Sequence, residues 1–62
     1  MAHQKSVEKI NPRDTIVENE IHYPVIERPQ RMPDEIQIIV WNLSSCMNET
    51  RHYKIGSIVL VT

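Results

Sequence analysis

The feature that most constrains this chain is a pair of short runs whose two faces are both apolar. The runs cover residues 36–43 and 53–61 and are rich in the β-branched and aromatic residues typical of strands. A strand with one solvent-exposed face alternates between apolar and polar residues. In the first run, however, Ile36, Ile38 and Val40 lie on one face, and Ile39 and Trp41 on the other. The sequence therefore predicts a β-hairpin whose sheet is covered on both sides.

The chain is too short to cover both faces by itself. At 62 residues, folding buries only about 60% of the surface that the unfolded chain exposes. Domains this small are usually stabilised by disulfides, a metal or association. Cys46 is the only cysteine, which excludes an internal disulfide. We therefore expect a protein partner, either a second copy (a homo-oligomer) or a larger protein, that adds to the sheet by packing on its face or pairing with its edge.

Residues 1–34 are polar and contain all four prolines. Residues 15–23 alternate between a mostly apolar and a polar face, which predicts a strand that Pro24 ends or confines to a sheet edge. Residues 1–14 show no periodicity and predict a flexible or partner-ordered arm. Residues 24–33 hold three of the prolines and predict an extended strap.

Together these patterns predict a mainly β protein with an extended, proline-containing N-terminal arm and connector. A single small β domain spans residues 15–62 and contains a small antiparallel sheet of about three strands, near residues 15–23, 35–43 and 53–61. A loop over residues 44–51 joins the last two strands. Gly56 inside the last strand predicts a bulge or a close approach of another backbone.

Catalysis and metal binding are not supported by residue spacing. The three histidines and Cys46 lack the paired spacing of a zinc site. Cys46 and His52 could approach each other across the loop, but the chain has one glycine and no nucleophile elbow. We expect a non-enzymatic protein with no catalytic residue, metal, cofactor or small-molecule substrate.

The leading interpretation is a structural or protein-interaction module. Interfaces concentrate binding energy in tryptophan, tyrosine and arginine, and Trp41 is the one tryptophan here. The predicted interface residues are Tyr23, Trp41, Tyr53, Ile58 and Leu60.

Two alternatives belong to other functional classes. The first is a small inhibitor or regulator that docks on one enzyme through an acidic face formed by Glu18, Glu20 and Glu27. The second is a small nucleic-acid-binding oligomer with contacts from Arg28, Arg31, Arg51 and Lys54. A formal net charge of −1 disfavours nucleic acid, because there is no excess of basic residues to hold a phosphate backbone.

The sequence also predicts a location. Residues 1–9 lack the apolar stretch of a secretory signal, and no run reaches the roughly 18 apolar residues of a membrane span. We expect the protein in the cytoplasm or in a larger intracellular or virion assembly, without membrane association. Small size, a proline-containing arm and an apolar hairpin are common features of accessory subunits and of viral or phage-like proteins.

Overall fold

Residues 2–62, which the computed structural model describes, form two antiparallel sheets that share one core. The prediction of a mainly β, antiparallel protein is confirmed. The strands are β1 (His3–Ser6), β2 (Thr15–Glu18), β3 (Ile21–Pro24), β4 (Gln30–Arg31), β5 (Glu35–Asn42), β6 (Met47–Lys54) and β7 (Ile58–Val61). A 3-10 turn at Val7–Lys9 follows β1. No helix in this part of the chain is long and apolar enough to cross a membrane.

The first sheet has four strands in the order β1-β7-β2-β3. The apolar strand β7 lies between β1 and β2, with Lys5 opposite Val59 and Val17 opposite Leu60. Beyond the paired residues, Thr62 donates to the Thr15 carbonyl at 2.9 Å and accepts from the Thr15 N–H at 3.3 Å. Both edges of β7 are therefore paired with strands of the same chain.

The second sheet has three strands in the order β4-β5-β6. Its centre is the β5–β6 hairpin, paired without interruption from Glu35 opposite Lys54 to Asn42 opposite Met47. The chain after β3 reaches the same edge of β5 that β4 occupies, because Val25 pairs with Val40. The N–H of the next residue, Ile26, donates to the Ile39 carbonyl at 3.1 Å. These contacts join the edges of the two sheets.

The core lies between the sheets and takes alternate residues from β5. Ile36, Ile38 and Val40 are at most 3% exposed. They pack with buried residues from both halves of the chain: Val7, Ile10, Ile16, Val25 and Val61. Because side chains alternate along a strand, Ile39 and Trp41 point to the other side of the sheet, where they are half-buried. Within residues 2–62, only one face of this sheet is fully covered.

The predicted strand 15–23 is a hairpin rather than one strand. Asn19 and Glu20 form its turn, with φ of 50° and 67°, and Glu18 lies opposite Ile21. Two left-handed residues between paired strands are the geometry of a type I′ turn, which usually contains glycine. The sequence prediction missed this turn because neither position is a glycine.

The predicted loop 44–51 is also wrong, because most of it belongs to β6. The chain reverses within residues 43–46, where Asn42 Oδ1 accepts from the N–H groups of Ser44 and Ser45 at 2.9 and 3.3 Å. Cys46 completes the reversal with φ of 55°. An Asx turn of this kind needs no glycine, so the short reversal carried little sequence signal.

The predicted strand 53–61 divides between the two sheets. A turn after Lys54 separates β6 from β7, and the Ser57 N–H donates to the Lys54 carbonyl at 3.0 Å. Gly56 has φ of +90°, and a Cβ added there would meet nothing within 4 Å. Gly56 is therefore required by the backbone conformation of this turn and by neither a bulge nor a close approach.

The predicted arm, residues 1–14, is part of the domain over the portion that is described. β1 pairs with β7, and Val7 and Ile10 are buried in the core. Asp14 fixes the following turn, since its Oδ2 accepts from Lys5 Nζ at 2.8 Å and from the Asn11 N–H at 3.0 Å. Periodicity could not reveal a four-residue strand followed directly by a 3-10 turn.

Candidate protein-interaction surfaces

The first candidate surface is the side of the three-stranded sheet that faces away from the core. We call it the outer face, and its apolar residues are Ile26, Ile39 and Trp41. Ile26 is 41% exposed, and Leu43, in the turn just beyond Asn42, is 74% exposed. Polar residues of β6 border the outer face: Asn48 lies opposite Trp41, and Thr50 lies opposite Ile39. The outer face is thus an apolar stripe with a polar rim.

A second apolar surface lies on the four-stranded sheet. Ile58 and Leu60 of β7 are 63% and 40% exposed, whereas Val61 beside them is fully buried. Their cross-strand neighbours are Gln4 and Val17 at Leu60 and Ser6 at Ile58. This patch contains no tryptophan, tyrosine or phenylalanine.

The five predicted interface residues lie in three places. Trp41 is on the outer face, and Ile58 and Leu60 are on the other sheet. Tyr23 and Tyr53 pack, half-buried, against the core. The structure therefore does not bring the five residues together into one surface.

Between the sheets lies a polar group that sequence reasoning missed, which we call the Arg51 cluster: Glu18, Tyr23, Glu49, Arg51 and Tyr53. Arg51 Nη1 is 2.6 Å from Glu18 Oε1, and its Nη2 is 3.2 Å from Glu49 Oε1. The guanidinium carbon lies 4.4 Å from the centre of the Tyr23 ring. Tyr53 donates its hydroxyl to Glu18 Oε2 at 3.3 Å. The Arg51 cluster ties β6 to the β2–β3 hairpin.

The pKa shifts in the Arg51 cluster keep Tyr53 protonated and Arg51 charged, which maintains their contacts with Glu18. Burial and the adjacent Glu18 carboxylate raise the pKa of Tyr53 to about 12, so the hydroxyl remains a donor at neutral pH. Burial alone would lower the pKa of Arg51, but Glu18, Tyr23, Tyr53 and Glu49 together outweigh burial and raise that pKa. Arg51 Nε is buried and has no acceptor within residues 2–62. Alternation of Glu49, Arg51 and Tyr53 along one face of a strand was the available sequence signal.

The structure brings neither set of predicted charged residues together into one surface. Glu18 belongs to the Arg51 cluster, whereas Glu20 lies in an exposed turn and Glu27 in an exposed bend. Of the basic residues, Arg51 is paired with acids, Arg28 is exposed between β3 and β4, and Arg31 and Lys54 line one groove.

That groove has a volume of about 620 Å³. Its lining carries both signs of charge, from Arg31, Lys54, Asp34 and Glu35, and also includes His52. Glu35 Oε2 is 2.9 Å from His52 Nδ1 and accepts from Gln37 Nε2 at 2.8 Å. Hydrogen bonds from His52 and Gln37 lower the pKa of the Glu35 carboxyl. Across residues 2–62, no three His, Cys, Asp or Glu side chains meet as metal ligands.

The last candidate surface is the backbone edge of β6. The carbonyls of Glu35 and Ile39 accept bonds from Met32 and Ile26, on the β4 side of β5. Backbone polar groups alternate sides along a strand, so even-numbered β5 residues bond to the odd-numbered β6 residues opposite them. The N–H and C=O groups of Asn48, Thr50 and His52 therefore point away from β5. No strand in the described part of the chain pairs with that edge.

No protein-family model, curated protein or solved structure matches this chain. The fold defines a small, mainly β domain with two antiparallel sheets and apolar residues on both outward sides.

Proposed function

We propose that this protein is a non-enzymatic structural or protein-interaction module that assembles with itself or with a larger protein through its sheet surfaces. The observation that carries the proposal is the position of Trp41. The only tryptophan of the chain lies on the outer face beside Ile39, while smaller isoleucine and valine side chains fill the core. Tryptophan is the residue most enriched among those that dominate binding energy at interfaces.

The outer face has the layout of a protein interface. An apolar centre formed by Ile26, Ile39 and Trp41 is bordered by the polar side chains of Asn48 and Thr50. Interfaces commonly have an apolar core and a polar rim. Each 100 Å² or so of apolar surface covered by a partner contributes about 2.5 kcal/mol before the entropy of association is subtracted. In such an assembly the chain would serve as an accessory or structural subunit, in the cytoplasm or in a virion.

The alternatives have less support. An inhibitor that docks through Glu18, Glu20 and Glu27 would need Glu18 to contact the enzyme, but Glu18 is already ion-paired with Arg51 at 2.6 Å. A nucleic-acid-binding oligomer would lose Arg51 to the same ion pair. Each alternative therefore lacks one of its proposed contact residues.

The test uses Trp41 as an intrinsic probe. Sedimentation velocity and tryptophan emission are measured together over a range of protein concentrations. We expect the mass to rise and the emission to shift to shorter wavelength as the outer face becomes covered. A constant monomer mass with unchanged emission would contradict self-assembly.

Two variants locate the surface. Trp41→Thr should weaken association at least tenfold, which is the effect of losing about 1.4 kcal/mol of binding free energy. Ile58→Thr, on the other sheet, is the matched control and should leave association within about twofold of the unmodified protein, since such a change is worth only about 0.4 kcal/mol. Equal effects of the two substitutions would rule out a specific role for the outer face.

A further inference from the structure

We infer that the partner is a second copy of this chain, joined to the first by antiparallel pairing of their two β6 edges. This inference rests on the proposed function, because it names the partner in that assembly and adds a contact between sheet edges to the contact through the outer face. It starts from the free edge of β6, where the backbone groups of Asn48, Thr50 and His52 point outward. An unpaired strand edge is a template for another strand.

β6 lacks several devices that normally protect such an edge. It is eight residues long, contains no proline, and pairs with β5 without a bulge. Short length, proline, bulges and inward-pointing charges are the usual protections. The inward positions do carry charges, Glu49 and Arg51, but these have opposite signs and pair with each other at 3.2 Å. Opposite charges at alternate positions make the strand complementary to itself.

Charge selects one register for the pairing. Opposite residues of an antiparallel pair point to the same face of the sheet. In a twofold-symmetric pair, the axis therefore lies midway between a residue and the same residue of the second copy. An axis at Glu49 or at Arg51 would place that residue opposite its own counterpart, where like charges repel. An axis at His52 would place Arg51 opposite Tyr53. Only an axis at Thr50, among these four central positions, places Glu49 of each copy opposite Arg51 of the other.

The same register uses the outward backbone groups. Thr50 exchanges two hydrogen bonds with Thr50 of the second copy, and Asn48 does the same with His52 at each end. The result is about six intermolecular backbone bonds. The two three-stranded sheets become one six-stranded sheet. Because opposite residues share a face, both outer faces lie on the same side. The two Trp41 surfaces therefore become one larger surface, which is the one that the outer-face contact of the proposed function covers.

A disulfide test distinguishes this register from others. In a background with Cys46→Gly, which suits the left-handed φ of that residue, Thr50→Cys and Asn48→Cys are compared under mild oxidation. Cysteines at position 50 would have Cα atoms about 5.5 Å apart, within disulfide range. Cysteines at position 48 would be offset by four residues, or about 13 Å along the strand. We expect a disulfide-linked dimer from Thr50→Cys and no disulfide-linked dimer from Asn48→Cys.

A proline substitution should prevent the pairing between copies without changing the fold of the monomer. Thr50→Pro deletes an N–H that points to solvent in the monomer, and proline is tolerated at such edge positions. Its circular dichroism should match that of the unmodified protein, and its association should be at least tenfold weaker.

The inference and the proposed function fail in different ways. Equal cross-linking of the two cysteine variants, or none with Thr50→Cys, would overturn the β6 pairing. If the unmodified protein still dimerises and Trp41→Thr still dissociates it, the proposed function stands with a different contact. A monomer at every concentration overturns both the β6 pairing and self-assembly.

Discussion

At the scale of single residues, Arg51 is the most informative side chain. The sequence placed Glu18 on an acidic docking face and Arg51 among nucleic-acid contacts, yet the two form an ion pair across 33 positions. No local pattern reports such a contact, because it depends on how β6 lies over β2. By contrast, the shared face of Ile36, Ile38 and Val40 follows directly from the two-residue period of side chains along a strand. The apolar core of β5 could thus be predicted, whereas its polar boundary could not.

Tyr53 gives this cluster a measurable pH dependence. Its pKa is about 12 in the folded protein and about 10 when unfolded. Between these values the folded state binds more protons, so the stability that Tyr53 contributes is complete below about pH 10 and is lost as pH rises towards 12. We expect the unfolding free energy to fall by about 1–2 kcal/mol from pH 9 to pH 11.5 through this residue.

The measurement is urea denaturation at both pH values. Tyr53→Phe is the control, since it has no phenol to ionise at position 53, and it should show a smaller alkaline loss. An identical loss in the two proteins would contradict the raised pKa.

At the scale of elements, the strand over residues 35–43 was predicted almost to its boundaries, and the turns were missed. β5 could be predicted because its apolar residues are consecutive and β-branched. Most of β6 carries no strand signal, because its inward positions hold Glu49 and Arg51 as well as Tyr53 and apolar alternation is absent. The β2–β3 turn was missed because Asn19 and Glu20 adopt positive φ without a glycine.

This turn predicts a stabilising substitution. Glu20 has φ of 67°, a conformation that costs a non-glycine residue about 1–2 kcal/mol. Glu20→Gly removes that strain and should raise the unfolding free energy by about 0.5–1 kcal/mol, after the entropy of the more flexible unfolded chain is subtracted.

Glu27→Gly is the matched control. Glu27 is also exposed, but its φ is not positive, so the same substitution should destabilise by about 0.5 kcal/mol. Both variants are compared by thermal and urea unfolding. A loss of stability in Glu20→Gly would show that the turn carries no relievable strain.

At the scale of the whole molecule, the chain folds into a self-contained body that still leaves surface uncovered. Its radius of gyration is 10.8 Å, close to the value of about 10.6 Å expected for a compact domain of this length. The sequence predicted apolar surface beyond what 62 residues can cover, and assigned it to both apolar runs. In the structure β7 is paired at both edges, so the uncovered parts lie elsewhere and include the outward faces of the sheets and the edge of β6.

Assembly through the β6 edge is tested most directly by amide hydrogen exchange along β6, followed by NMR at low and high protein concentration. Glu49 and Arg51 bond to β5 and should be protected at both concentrations. Asn48, Thr50 and His52 should exchange rapidly in dilute protein and become protected as concentration rises. Rapid exchange of these three amides at every concentration, with Glu49 and Arg51 protected throughout, would contradict pairing between two copies.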